Sequence, residues 1–204
     1  MKNFRARTIS NLILRTFGLV SLVFFLSAFT NNSTESLAYK SNSQSTMNLS
    51  GYSKLNNWAV GFKNINSEGS FIMKNKELDE ISALEFSVST SMLKGDDAAV
   101  DSVLHTLLVD GKAQTISFKL TRQMVLPIMK KVQLLGEFTF AGVTRYTSLQ
   151  MSFEVDADNH IILKGTNTIL LSDFICSATR TKLKGLKCND QLTFALELNL
   201  QPKS

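Results

Sequence analysis

The chain has 204 residues, 44% hydrophobic and 19% charged, a balance that suits one globular domain and excludes a disordered or low-complexity polymer. Its formal charge of +5 suggests a nucleic-acid footprint only until the charges are located. Four of the 22 basic residues, Lys2, Arg5, Arg7 and Arg15, precede residue 31, where there is no acid; the remaining 18 face 17 acidic residues, so the nucleic-acid reading fades.

Residues 1–30 carry the three parts of a secretory signal: a basic start, the apolar run Phe17 to Phe29, and small polar residues after it. As a helix that run would span about 20 Å, short of the ~30 Å hydrocarbon core, so a removed signal suits it better than a permanent span. Cleavage sites are available at Leu26-Ser27-Ala28 and at Ser36-Leu37-Ala38. The expected product is periplasmic or secreted, and not an integral membrane protein after signal removal. From Thr30 to Gly51, 13 of 22 residues are Ser, Thr or Asn, so residues 31–48 read as a flexible linker and 49–204 as the folded domain.

Beyond the linker, apolar side chains recur with period two. Leu84, Phe86 and Val88 share a face, as do Ile116, Phe118 and Leu120; Leu134, Phe138 and Phe140; Leu149, Met151, Phe153 and Val155; and Leu192, Phe194, Leu196 and Leu198. Polar residues such as Glu85, Lys119, Glu137 and Glu154 occupy the opposite faces. One dry and one wet face per strand is the antiparallel pattern, and the fold class is all-β. One stretch departs: Val100, Val103, Leu104, Leu107 and Leu108 fall at helical spacing, predicting a short helix near 97–110 that ends at Gly111. Ala141-Gly142 and Asp158-Asn159 supply turns, and Gly165 suggests a bulge or bend. Seven or eight such strands must close on themselves or find a partner sheet; eight make a barrel wide enough for side chains alone or for one small ligand.

Catalytic motifs are missing: there is no Gly-x-Ser-x-Gly elbow, phosphate-binding glycine loop, His-Glu-x-x-His or Cys-x-x-Cys. His105 and His160 read as surface or satisfied residues. Asp156, Asp158 and Asn159 read as a turn, since the glycine and distal glutamate of a calcium loop are absent. No metal or cofactor is expected. Cys176 and Cys188 suit a disulfide in an oxidising compartment, with two buried thiols as the alternative. Between them, Arg180, Lys182, Lys184 and Lys187 form an acid-free basic run, either a solvated face or a site for an anionic head group. Met124, Leu126 and Met129 belong to an apolar stretch around Pro127 where a polar connection is expected, and read as the rim of a mouth or as a plug.

Several segments together resemble a YceI-like domain: Ser53 to Gly61, Met92 to Gly95, Thr115 to Leu120, Gly136 to Arg145, Ser172-Asp173-Phe174 and Asn189 to Phe194. The resemblance spans about Leu49 to Leu200. It implies a lipocalin-like, elongated antiparallel barrel of about eight strands whose interior holds an isoprenoid or other lipid tail in an exported protein. Two segments depart from the family's pattern: Asn64 to Gly69 stands where a histidine and glycine often follow the first long strand, and Ile175 to Thr179 replaces a proline-containing segment. On this reading Phe71, Phe86, Phe118, Phe138 and Phe140, with Met151, Phe153, Phe174 and Phe194, line the ligand. The expected partner is a lipid or isoprenoid, an isoprenoid quinone included, bound without catalysis; nucleic acid is excluded, and a homodimer is compatible with the pattern. The competing reading is a periplasmic structural or stress protein with a packed core. An outer-membrane barrel is disfavoured, because one Trp and three Tyr do not make two aromatic girdles.

Overall fold

The computed structural model describes residues 36–53, 57–90, 108, 115–175 and 188–203. The signal expected at 1–30, Cys176 and the four cations at 180–187 lie outside them, as does the helix expected at 97–110 apart from Leu108, which is buried. No helix among the described residues is long and apolar enough to cross a membrane.

The alternating segments form ten strands: β1 (Ser36–Ser41), β2 (Thr46–Ser53), β3 (Asn57–Lys63), β4 (Asn66–Lys74), β5 (Glu77–Ser89), β6 (Thr115–Leu126), β7 (Lys131–Phe140), β8 (Val143–Val155), β9 (Ile161–Leu170) and β10 (Cys188–Pro202). Their hydrogen-bonded order is β1-β4-β5-β6-β7-β8-β9-β10, and β10 returns to β1, so eight antiparallel strands close a ring. The hairpin β2–β3 extends it. Along one edge, β10 pairs first with β2 and then with β1, while β2 pairs with β3 and β1 with β4. Thus β1 and β2 act as one long strand interrupted at residues 42–45, and β3 and β4 as another interrupted at Asn64, whose φ is 59°. At the first interruption Asn42 N–H donates to the Asn199 carbonyl and Asn199 N–H donates to Ser45 Oγ, so the β10 edge stays paired across the break.

The linker expected at 31–48 is therefore corrected: β1 and the start of β2 lie inside it. Leu37 is half-buried, and Tyr39, Met47 and Leu49 are fully buried, while Lys40 and Asn48 turn outward. A strand that closes a barrel needs only one dry face, so abundant Ser and Asn did not preclude it. What orders the segment is the ring it completes.

The end of β5, the start of β6, the β7–β8 turn, the end of β9 and the start of β10 lie at one end of the barrel, called here the upper end; the β4–β5, β6–β7 and β8–β9 turns lie at the lower end. Asn75 and Lys76, with φ of 53° and 63°, make a tight two-residue hairpin below, and Ala141-Gly142, with φ of 50° and 78°, make its counterpart above. Gly165 is not a bulge: it pairs with Leu196 in unbroken register. A Cβ there would lie 2.4 Å from the Gln150 carbonyl oxygen, so its lack of a side chain lets β8 approach β9.

Candidate ligand-binding interior

All nine residues expected to line a ligand are buried, yet they separate into two groups. Six lie toward the upper end. Phe86, Phe118 and Phe138 are adjacent in register across β5, β6 and β7, and the Phe86 and Phe118 rings stack at 5.6 Å. Phe194 of β10 stacks on Phe138 at 5.1 Å with the planes 7° apart. Because β8 and β9 stand between β7 and β10 in the ring, this contact crosses the interior. Phe174, after β9, sets its edge against Phe138 at 5.8 Å and Phe140 at 6.0 Å. Contacts of this kind contribute about 0.5–1.5 kcal/mol each beyond the area they bury.

The lower group is different. Phe71 meets the Tyr39 ring edge-on at 5.0 Å, and Phe153 and Met151 follow one another on the inward face of β8. Two polar atoms are buried here without a hydrogen-bond partner, the Tyr39 hydroxyl and Gln123 Oε1. Burial, with a smaller effect from the negative charge of Asp156, pushes the Tyr39 hydroxyl pKa up. Gln123 faces inward because β6 changes phase: its pairing with β7 shifts register between Leu120 and Arg122, after which Gln123 pairs with the buried Leu134 and Val125 with the buried Val132.

The same shift turns Met124 and Leu126 outward, and Met129 follows in a short 3-10 turn from Pro127 to Met129. Met124 is 56% and Met129 59% exposed, and Ile128 fully so. These side chains stand outside the barrel, which rules out the plug. The turn ends at Lys130, whose ammonium reaches Glu77 at 2.7 Å and lies 5.6 Å from the centre of the buried Phe153 ring. This ion pair joins the start of β5 to the β6–β7 turn. Between those strands pairing is short: β5 bonds β6 only from Glu85 to Ser89, and Glu77 to Leu84 bond β4 alone among the described residues. A seam therefore runs down the wall between β5 and β6 toward the lower end, with the Lys130–Glu77 pair across its foot. Outside it lies a groove of about 340 Å³ that includes Leu84 and Leu120.

The basic run at 180–187 lies outside the described residues, and Pro127 to Met129 turn at the lower end. At the turn between β8 and β9, Asp156 Oδ1 accepts hydrogen bonds from the N–H groups of Asp158 and His160, and Oδ2 lies 2.8 Å from His160 Nδ1. Those contacts, the His160 N–H foremost, hold the Asp156 carboxyl below its ordinary pKa. The carboxylate is fully engaged in shaping its own turn.

Sequence reasoning missed the orphaned pair of polar atoms. Tyr39 sat within the supposed linker, and Gln123 looks outward-facing unless the register shift beside it is known. The alternation Leu37, Tyr39 and Met47, Leu49 was the available signal.

An eight-stranded, up-and-down antiparallel ring around a continuous apolar interior is the architecture of small ligand-carrying barrels. The YceI-like domain family matches residues 39–200, and the chain belongs to that family. Among solved structures, BcnA from Burkholderia cenocepacia is similar at 12% identity and a TM-score of 0.63, over 77% of this chain and 96% of that one. A polyisoprenoid binding domain from Saccharophagus degradans, implicated in plant cell wall breakdown, is similar at 11% identity and a TM-score of 0.61, over 82% and 99%. The Campylobacter jejuni YCEI protein is similar at 17% identity and a TM-score of 0.52, over 68% and 82%. No curated protein sequence matches the chain.

Proposed function

We propose that this protein is an exported, non-catalytic carrier that holds a polyisoprenoid or similarly long apolar tail inside its barrel. Membership of the YceI-like family and the likeness to a polyisoprenoid binding domain support the lipid reading. The observation that carries it is the lower half of the barrel: a buried apolar wall reached by a seam whose strands are joined at the foot by one ion pair. Met124, Leu126 and Met129 form the rim, where flexible side chains can repack around different tails. Each buried methylene contributes about 0.8 kcal/mol, so longer tails are retained better than short ones. Phe71, Met151 and Phe153 line the near part of the tail. Phe138 and Phe194 form its floor, with Phe86, Phe118, Phe140 and Phe174 packed around it.

Export is the reading that the first thirty residues support. Cutting after Ala38 would remove half of the strand that closes the ring, which supports cleavage after Ala28. N-terminal sequencing of exported protein tests this, and a mature chain starting at Tyr39 would overturn it. For binding, displacement of a fluorescent fatty-acid probe by prenyl alcohols of increasing length is the test. Affinity should rise with length, and no displacement at any length would favour the packed-core reading, which the Phe138–Phe194 stack supports.

A further inference from the structure

We infer that Tyr39 and Gln123 form a recognition site for the head of the bound tail, and that this head is an uncharged hydroxyl. The inference rests on the tail-binding reading above and specifies the chemistry at one end of it. Toward the lower end, two polar groups come from strands on different sides of the ring. Tyr39 lies on β1, near where the described chain begins at the lower end, and Gln123 lies three residues before β6 ends there. In the ring β4 and β5 separate their strands. Both polar atoms are buried, and neither finds a partner among the described residues.

An orphaned buried polar atom disfavours the folded state unless something else satisfies it. Here the unmet needs are complementary. The Tyr39 hydroxyl is held neutral by burial and is a donor, while Gln123 Oε1 is an acceptor. A single hydroxyl answers both, accepting from Tyr39 and donating to Gln123. A quinone carbonyl can only accept. A phosphate or diphosphate is worse placed: Asp156 adds a negative charge close enough to act on Tyr39. Gln123 also lies on the part of β6 that β5 leaves unpaired, so a head entering by the seam passes directly over it.

The experiment compares geranylgeraniol, its diphosphate, and the hydrocarbon phytane as competitors of a fluorescent fatty probe on the folded full-length protein, wild type, Tyr39→Phe and Gln123→Leu. The inference predicts that the alcohol binds about tenfold more tightly than phytane, the increment of roughly one net hydrogen bond, and more tightly than the diphosphate. Each variant should lose most of that margin for the alcohol while phytane binding stays within about twofold. If the alcohol shows no advantage over phytane, or if the variants weaken both ligands equally, the head-group site is overturned while tail binding stands. If the diphosphate binds best, the uncharged head is wrong. If none of the three competes, the tail-binding reading fails and takes this inference with it.

Discussion

The two ends of this barrel are built from the same kind of strand and spend their interiors differently. At the upper end six phenylalanines meet ring against ring, one pair across the full interior. At the lower end a single aromatic pair, Tyr39 with Phe71, meets edge-on, two polar atoms are buried without partners, β5 and β6 are unpaired along a seam, and methionines lie in solvent. The upper end has departures of its own, since β8 and β9 bond each other only from Ser152 to Val155 and Asn167 Nδ2 is buried without a partner, so the two ends differ chiefly in how densely their aromatic rings pack.

The contrast is sharpest in stability. Phe138→Ala should remove contacts with both Phe194 and Phe174 and cost about 3–5 kcal/mol, measured by urea unfolding with an unchanged slope. By contrast, Tyr39→Phe should leave the ligand-free protein equally stable or stabilise it by up to about 1 kcal/mol, because the change removes an unsatisfied hydroxyl and keeps the ring against Phe71. A loss of stability comparable to that of Phe138→Ala would mean that the hydroxyl is satisfied within the fold. The pH dependence has a defined sign. The raised folded-state pKa of Tyr39 gives stability that is present below the ordinary tyrosine range and is lost as pH rises through the folded value. Tyr39→Phe should flatten that alkaline loss.

Smaller effects separate access from folding. Lys130→Gln removes an exposed ion pair worth about 0–1 kcal/mol, so the midpoint of unfolding should barely move while tail exchange through the seam accelerates. High salt should mimic the substitution in the wild type. Met124→Ser combined with Met129→Ser should change stability by less than about 0.5 kcal/mol, since both side chains are already exposed, and should alter exchange. Unchanged exchange in both variants would place the mouth elsewhere.

Legibility in the sequence follows the same division. The upper end was readable because inward phenylalanines recur at alternate positions on several strands, and the eight strands of the ring followed from the same alternation. The lower end was less so. A one-residue register shift at Leu120–Arg122 reverses the faces of β6, turning Gln123 inward and Met124 outward, and no residue in that stretch announces it. The Ser- and Asn-rich β1 was mistaken for a tether because its partners, β4 and β10, lie far along the chain.

The central claim is that the interior receives a long apolar tail from the lower end. Native mass spectrometry of the protein purified from the cells that export it, followed by reconstitution of delipidated protein with geranylgeraniol, tests it most directly. The expected result is a one-to-one adduct that survives gentle ionisation and is weakened by Phe71→Ala at the lower end more than by Phe140→Ala at the upper. A folded protein that carries no adduct from the cell and takes up none on reconstitution would contradict it.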